Sequence, residues 1–289
     1  MKKFPVFFLF LALIAGFAAA DDIGLSAGLE FGIIGVNDDP IGPYLDVIVG
    51  YENSFLDEAL DISASLLYDF DLTKDADPDG KIPQFMSLDF VASYHLGVGD
   101  SSTLSLILED QNDFILVPKV NDAVLGIIKP GIGFNQGLDI GDLYAQLDFP
   151  ILYAYYGLEK NHTYSGLDIT LGWASAFGLG LEAGGHVLLS PSDKFGNETL
   201  SGFTGLSFTA SYESGPIYAD IAATFTLKNK EFAPYSYFDT LAGSGVSITP
   251  SFSYSFDFGL TAYVYCIFDG IGLDGDVGIT PAIGFTYSF

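Results

Sequence analysis

The chain has no arginine, one cysteine, one tryptophan, two methionines and three histidines among 289 residues. Ten lysines face 37 acids, for a net charge of -27. That balance repels nucleic acid and anionic surfaces and leaves cations as the natural small partners. The lone Cys266 excludes an intrachain disulfide framework and reads as a small apolar side chain. Charged residues make up only 16% of the chain and hydrophobic residues 49%, which excludes disorder. After residue 20 there is no uncharged apolar run of 18 residues, so no transmembrane helix is expected.

What is present begins with MKKFPVFFLFLALIAGFAAADD. Lys2 and Lys3 precede an apolar stretch from Phe4 to Phe17, and Ala18-Ala19-Ala20 gives the small-residue cleavage pattern. Residues 1–20 read as a secretory signal peptide and 21–289 as a single domain. The residue directly after the cleavage site is Asp21 and not a cysteine, so lipid attachment there is not expected.

Aromatics and glycine are abundant: 26 Phe, 17 Tyr and 34 Gly. They fall into a pattern. In the final stretch ITPAIGFTYSF, Ile279, Pro281, Ile283, Phe285, Tyr287 and Phe289 alternate with Thr280, Ala282, Gly284, Thr286 and Ser288. Residues 23–33, 60–72 and 246–258 alternate in the same way, without the three- and four-residue spacing of a helix. Similar segments near 43–52, 84–98, 103–109, 123–134, 142–156, 166–176, 180–190, 203–213, 216–227 and 259–269 bring the total to fourteen strands. The stretch 99–135 carries the weakest alternation, and reading it as a distorted pair gives twelve.

Short connections at 53–57, 99–102, 135–141, 177–179, 214–215 and 257–259 alternate with long ones at 35–42, 72–83, 110–122, 157–165, 191–202, 228–245 and 270–276. An even-stranded barrel with short turns on one rim and long loops on the other produces this alternation. The polar face is Ser, Thr, Gly, Ala and Asp, too small and acidic to be the wet surface of a soluble sandwich, while the apolar face is rich in Phe, Tyr, Leu and Ile. The fold class expected is therefore all-β: a transmembrane antiparallel up-and-down β-barrel with its apolar face in lipid.

Together the signal peptide, the alternating segments and the terminal Phe289 resemble bacterial outer-membrane β-barrel proteins, porin-like in character. Size and strand number are similar to fourteen-stranded OmpG-type barrels, while the acidity, the missing arginine and the aromatic richness resemble spirochaete outer-membrane barrels. The resemblance implies a bacterial outer-membrane location, delivery through a cleaved signal peptide, and Phe285, Tyr287 and Phe289 as a C-terminal signal for the barrel-assembly machinery. It implies a pore for passive diffusion of small hydrophilic or cationic solutes, in a monomer. A porin arginine ladder is impossible here.

With the apolar face outward, the pore-lining acids are Glu30, Asp46, Asp61, Asp89, Asp148, Asp168, Glu182 and Asp220, joined by Asp69, Asp71, Asp142 and Asp257. Lys129, His95 and His186 are the few cationic candidates on that face. A negative wall around a narrow water-filled tube enriches cations. Outward Tyr44, Tyr51, Tyr68, Tyr94, Tyr153, Tyr155, Trp173, Tyr212, Tyr254 and Tyr287 fit interfacial girdles. The alternative is a non-conducting structural or adhesion barrel, with loop 228–245 and its Phe232, Tyr235, Tyr237 and Phe238 as plug or binding surface.

Other chemistry finds little footing. KDADPDGK at 74–81 places Asp75, Asp77, Asp79 and Gly80 as in a calcium loop, but the twelfth position is Met86 and the flanks are strands. FGLGLEAGG is a turn entering a strand, which fails as a phosphate cradle. His95 and His186 share the inward parity, yet no motif links either to a serine. No enzyme, cofactor or metal is expected.

Overall fold

The period-two pattern becomes a closed sheet. The computed structural model describes residues 24–34, 42–56, 58–71, 84–115, 124–155, 165–189, 202–226, 245–271 and 277–289. Its strands are β1 (Gly24–Ile34), β2 (Gly42–Phe55), β3 (Leu60–Asp71), β4 (Gln84–Gly97), β5 (Ser102–Ile115), β6 (Val124–Leu138), β7 (Gly141–Asp148) and β8 (Ile151–Tyr155). They continue as β9 (Ser165–Ser175), β10 (Leu179–Leu189), β11 (Gly202–Ser214), β12 (Ile217–Thr226), β13 (Gly245–Ser255), β14 (Leu260–Ile271) and β15 (Gly278–Ser288).

These fifteen segments make fourteen staves, because β7 and β8 are one stave interrupted at Phe149–Pro150. Pro150 has no N–H to give to a ladder, so the strand breaks without losing step. Gly131↔Asp148 and Ile128↔Ile151 lie on one register, and the Phe149 N–H still donates to Pro130 O at 2.9 Å. All pairings are antiparallel between neighbours, and β15 returns to β1 with Ala27 opposite Tyr287. The Phe289 N–H donates to Leu25 O at 2.9 Å, and the ring is closed. The expected count of fourteen stands.

The short turns lie at the rim where β15 ends. Gly178 and Gly259 turn there with φ of 91° and 88°, where a Cβ would strain the backbone and strike the carbonyls of Glu213 and Ser288. The connections at the other rim lie outside the described residues. So do the expected signal peptide, the 74–81 acidic loop, the 228–245 aromatic loop, and every lysine except Lys129.

The molecule is inside out relative to a protein folded in water. Leu171 is 57% exposed and Phe31, Ile283 and Phe285 nearly half, while Glu30, Asp46, Asp148 and Asp168 are buried. Parity explains it: outward positions are mainly apolar and inward ones mainly small, hydroxylic or acidic, with Tyr44 and Ile127 as buried exceptions. On the outward face of the described staves, Asp110 is the one acid, two residues beyond Leu108 on β5.

Candidate functional site, the polar interior

The interior is built from register. Tyr263 of β14 faces Gly284 of β15, which faces Glu30 of β1. The ring of Tyr263 lies over Gly284, where a Cβ would collide with it, and its hydroxyl donates to Glu30 Oε2 at 2.9 Å. The same three residue types recur nearly opposite. Tyr144 of β7 faces Gly172 of β9, which faces Glu182 of β10. The Tyr144 ring covers Gly172 and its hydroxyl donates to Glu182. In each case a tyrosine crosses a glycine-bearing strand to reach a carboxylate on the next.

Around Glu30 the arrangement is denser. Tyr44 donates to Glu30 Oε1 at 3.0 Å and Tyr265 to the same oxygen at 2.5 Å, while the Tyr44 and Tyr265 hydroxyls are 3.2 Å apart. Asp46 stands opposite Glu30 and Asp69 opposite Asp46, both on the interior face. Tyr44 was expected in the outward girdle, and the structure corrects this: its parity is that of Asp46, two residues on, and it is 8% exposed against Glu30. Tyrosine carries both a ring and a hydroxyl, so it suits either face, and only strand parity decides.

The far wall handles acids differently. Lys129 of β6 pairs with Glu109 of β5 at 2.7 Å. Beyond it, Asp148 of β7 faces Asp168 of β9, which faces His186 of β10. Asp148 accepts from the Gln146 amide at 2.9 and 3.1 Å, and Asp168 lies 3.0 Å from His186 Nδ1. Of the remaining expected residues, Asp89 lies 3.4 Å from both Ser65 and Ser87 hydroxyls, and Asp220 accepts from Ser251. Asp61 stands near the short-turn rim, taking a hydrogen bond from Ser54 at 2.7 Å.

Asp61 also binds His95 Nε2 at 2.9 Å, and His95 Nδ1 lies 2.8 Å from Ser105 Oγ. The sequence showed no serine motif for His95; cross-strand pairing supplies one, since His95 of β4 stands directly opposite Ser105 of β5. A recess of about 510 Å³ opens nearby, lined in part by Ser26, Glu52, Ser63, Ser65, Asp89 and Ser288. Phe285, Tyr287 and Phe289 lie on the outward face, all well exposed.

Glu109, Tyr144, Tyr263 and Tyr265 were missed from the sequence. Parity could have placed each inward: Tyr263 and Tyr265 flank the outward Val264, and Glu109 precedes Asp110 in a strand whose Leu106 and Leu108 face out. Among the described residues no three His, Cys, Asp or Glu side chains converge on a metal-binding geometry.

No protein-family profile matches the chain, and no curated protein matches it. Solved structures similar to it include Pseudomonas aeruginosa OccK9, at 8% identity and a TM-score of 0.46, over 93% of this chain and 98% of that one. P. aeruginosa OpdK, solved with vanillate, matches at 8% identity and 0.46, over 93% and 99%. A triple mutant of the Rhodopseudomonas blastica porin matches at 11% identity and 0.40, over 92% and 100%.

Proposed function

We propose that this chain is a bacterial outer-membrane pore for passive diffusion of small solutes, preferring cations. The observation that carries the reading is the interior wall: Glu30, Asp46, Asp89, Asp148, Asp168, Glu182 and Asp220 face inward, and the one lysine among the described residues is tied to Glu109. Fixed carboxylates around a narrow aqueous path raise the local cation concentration and exclude anions. The apolar outer face supports the membrane location, since only a closed barrel satisfies its backbone there. In this reading residues 1–20 are the cleaved signal, Phe285, Tyr287 and Phe289 are read by the assembly machinery, and the barrel works as a monomer without a cofactor.

Reversal potential across a planar bilayer in a KCl gradient tests the preference. The expected sign is that of a cation-selective pore, and Asp89→Asn or Asp148→Asn is expected to move it toward zero. An anion-selective sign overturns the reading. A second reading, a barrel that does not conduct, draws on the burial of Glu30, Asp46, Asp148 and Asp168, each less than a tenth exposed. Absence of any conductance step from correctly folded protein selects it.

A further inference from the structure

The geometry points to a serine hydrolase centre at the short-turn mouth of the barrel, formed by Ser105, His95 and Asp61. Three neighbouring strands contribute one residue each. Ser105 on β5 and His95 on β4 are register partners, and Asp61 on β3 stands opposite Ser93, two residues before His95. Alternation turns all three to the interior. The spacings are 2.8 Å from serine oxygen to histidine and 2.9 Å from histidine to carboxylate.

The hydrogen-bond roles follow for the neutral imidazole, the form that can act as a base. An ionised carboxylate only accepts, so the His95 Nε2 facing Asp61 carries the proton. That leaves the Nδ1 lone pair toward Ser105, whose hydroxyl donates to it. A nucleophile, a base in hydrogen-bond reach, and a third group orienting that base are the parts acyl transfer needs, and they are recognised by role rather than chain order. Ser54 holds Asp61 from its other side at 2.7 Å, which keeps the orienting carboxylate in place. The His95 and Asp61 side chains are 30% and 48% exposed, so substrate and water reach them. Gly133 is the other register partner of Ser105, and a Cβ there would come within 3.5 Å of the serine Cβ. Asn135 lies two residues along β6 from Gly133, on the same interior face.

The chemistry balances with water alone. Ser105 Oγ attacks the ester carbonyl carbon as His95 Nδ1 takes its proton. The tetrahedral adduct collapses by breaking the bond to the alcohol oxygen, which leaves with the proton from His95. Water, deprotonated by His95, then attacks the acyl carbon. The bond to Ser105 Oγ breaks, the serine recovers a proton, and a carboxylic acid is released. Because the centre faces an acidic interior, its substrates are small water-soluble esters that are neutral or cationic; anionic esters are repelled. This inference adds to the proposed pore and does not depend on its selectivity.

The test uses the full mature chain, folded in detergent and in vesicles, with two probes: a fluorophosphonate that traps activated serines, and short-chain nitrophenyl esters. Labelling of the wild type at Ser105, with ester turnover above that of Ser105→Ala, is expected. Asp61→Asn should lower turnover at least about 100-fold while leaving the barrel folded. His95→Gln should abolish labelling. Asp61→Glu, which keeps a carboxylate on His95, should restore the turnover and labelling that Asp61→Asn loses, a rescue that a merely structural trio would not show. Folded wild type that neither labels nor exceeds Ser105→Ala overturns the assignment. Conductance of Ser105→Ala is expected to match wild type, so failure of the centre and failure of the pore read out separately.

Discussion

The two tyrosine–glycine–glutamate rows stand six staves apart in one direction around the ring and eight in the other. Both place a ring over a glycine and a phenol on a carboxylate. They differ in company. Glu30 takes three phenol hydrogen bonds and is 8% exposed, while Glu182 takes one from Tyr144 and is only partly buried. The same three residues therefore act as the anchor of a cluster in one place and as a single clasp in the other. What distinguishes them is how many phenols the neighbouring strands deliver: Tyr44 and Tyr265 join Tyr263 on Glu30, while among the described residues Tyr144 is the one phenol on Glu182. Phenols hold a carboxylate while leaving its charge in place, whereas Lys129 cancels the charge of Glu109. The Glu30 row is thus the more heavily bonded of the two.

The largest expected contrast comes from the glycines. Gly284→Ala would force the Tyr263 ring off its seat against bonds on Glu30, at a cost of about 2–3 kcal/mol, and Gly172→Ala would displace the singly held Tyr144 for about 1 kcal/mol. Urea unfolding of the barrel in lipid vesicles measures both; equal losses would show that the extra phenols do not stiffen the first row. Next in size is Glu30→Gln, which removes the charged acceptor of three donors and should cost about 2 kcal/mol, against under about 1 kcal/mol for Glu182→Gln by the same unfolding measurement. The smallest effect is cooperative. A double-mutant cycle of Tyr44→Phe and Tyr265→Phe should show a coupling of about 1 kcal/mol, because the two hydroxyls share one oxygen of Glu30 and touch each other. Strict additivity would mean that each phenol acts alone.

The alternation of single residues was enough to read the staves and the inward acids, because a strand's two faces are a local property. Everything that joins staves was hidden. Glu109 and Lys129 are twenty positions apart in the one stretch where alternation was weakest, and only the β5–β6 pairing brings them together. The rows of Tyr263, Gly284 and Glu30, and the meeting of Asp61, His95 and Ser105, likewise depend on register, which the turns and hydrophobic match fix collectively. Tyr44 shows a different failure: its parity was legible from Asp46, but an aromatic ring in a barrel suggested the girdle. Pro150 broke one stave into two segments without changing the count, since the break removes a donor and not a residue.

The seam between β1 and β15 also sets an order in time. Leu25 and Phe289, bonded in the finished ring, are about as distant along the chain as two of its described residues can be. A chain that has formed thirteen staves still exposes two raw edges, each a template for any strand that arrives first. Loop closure over so long a span is slow. Its hazard is therefore concentrated before the seam forms, and whatever escorts the unfinished sheet must hold both edges until the last stave is in place.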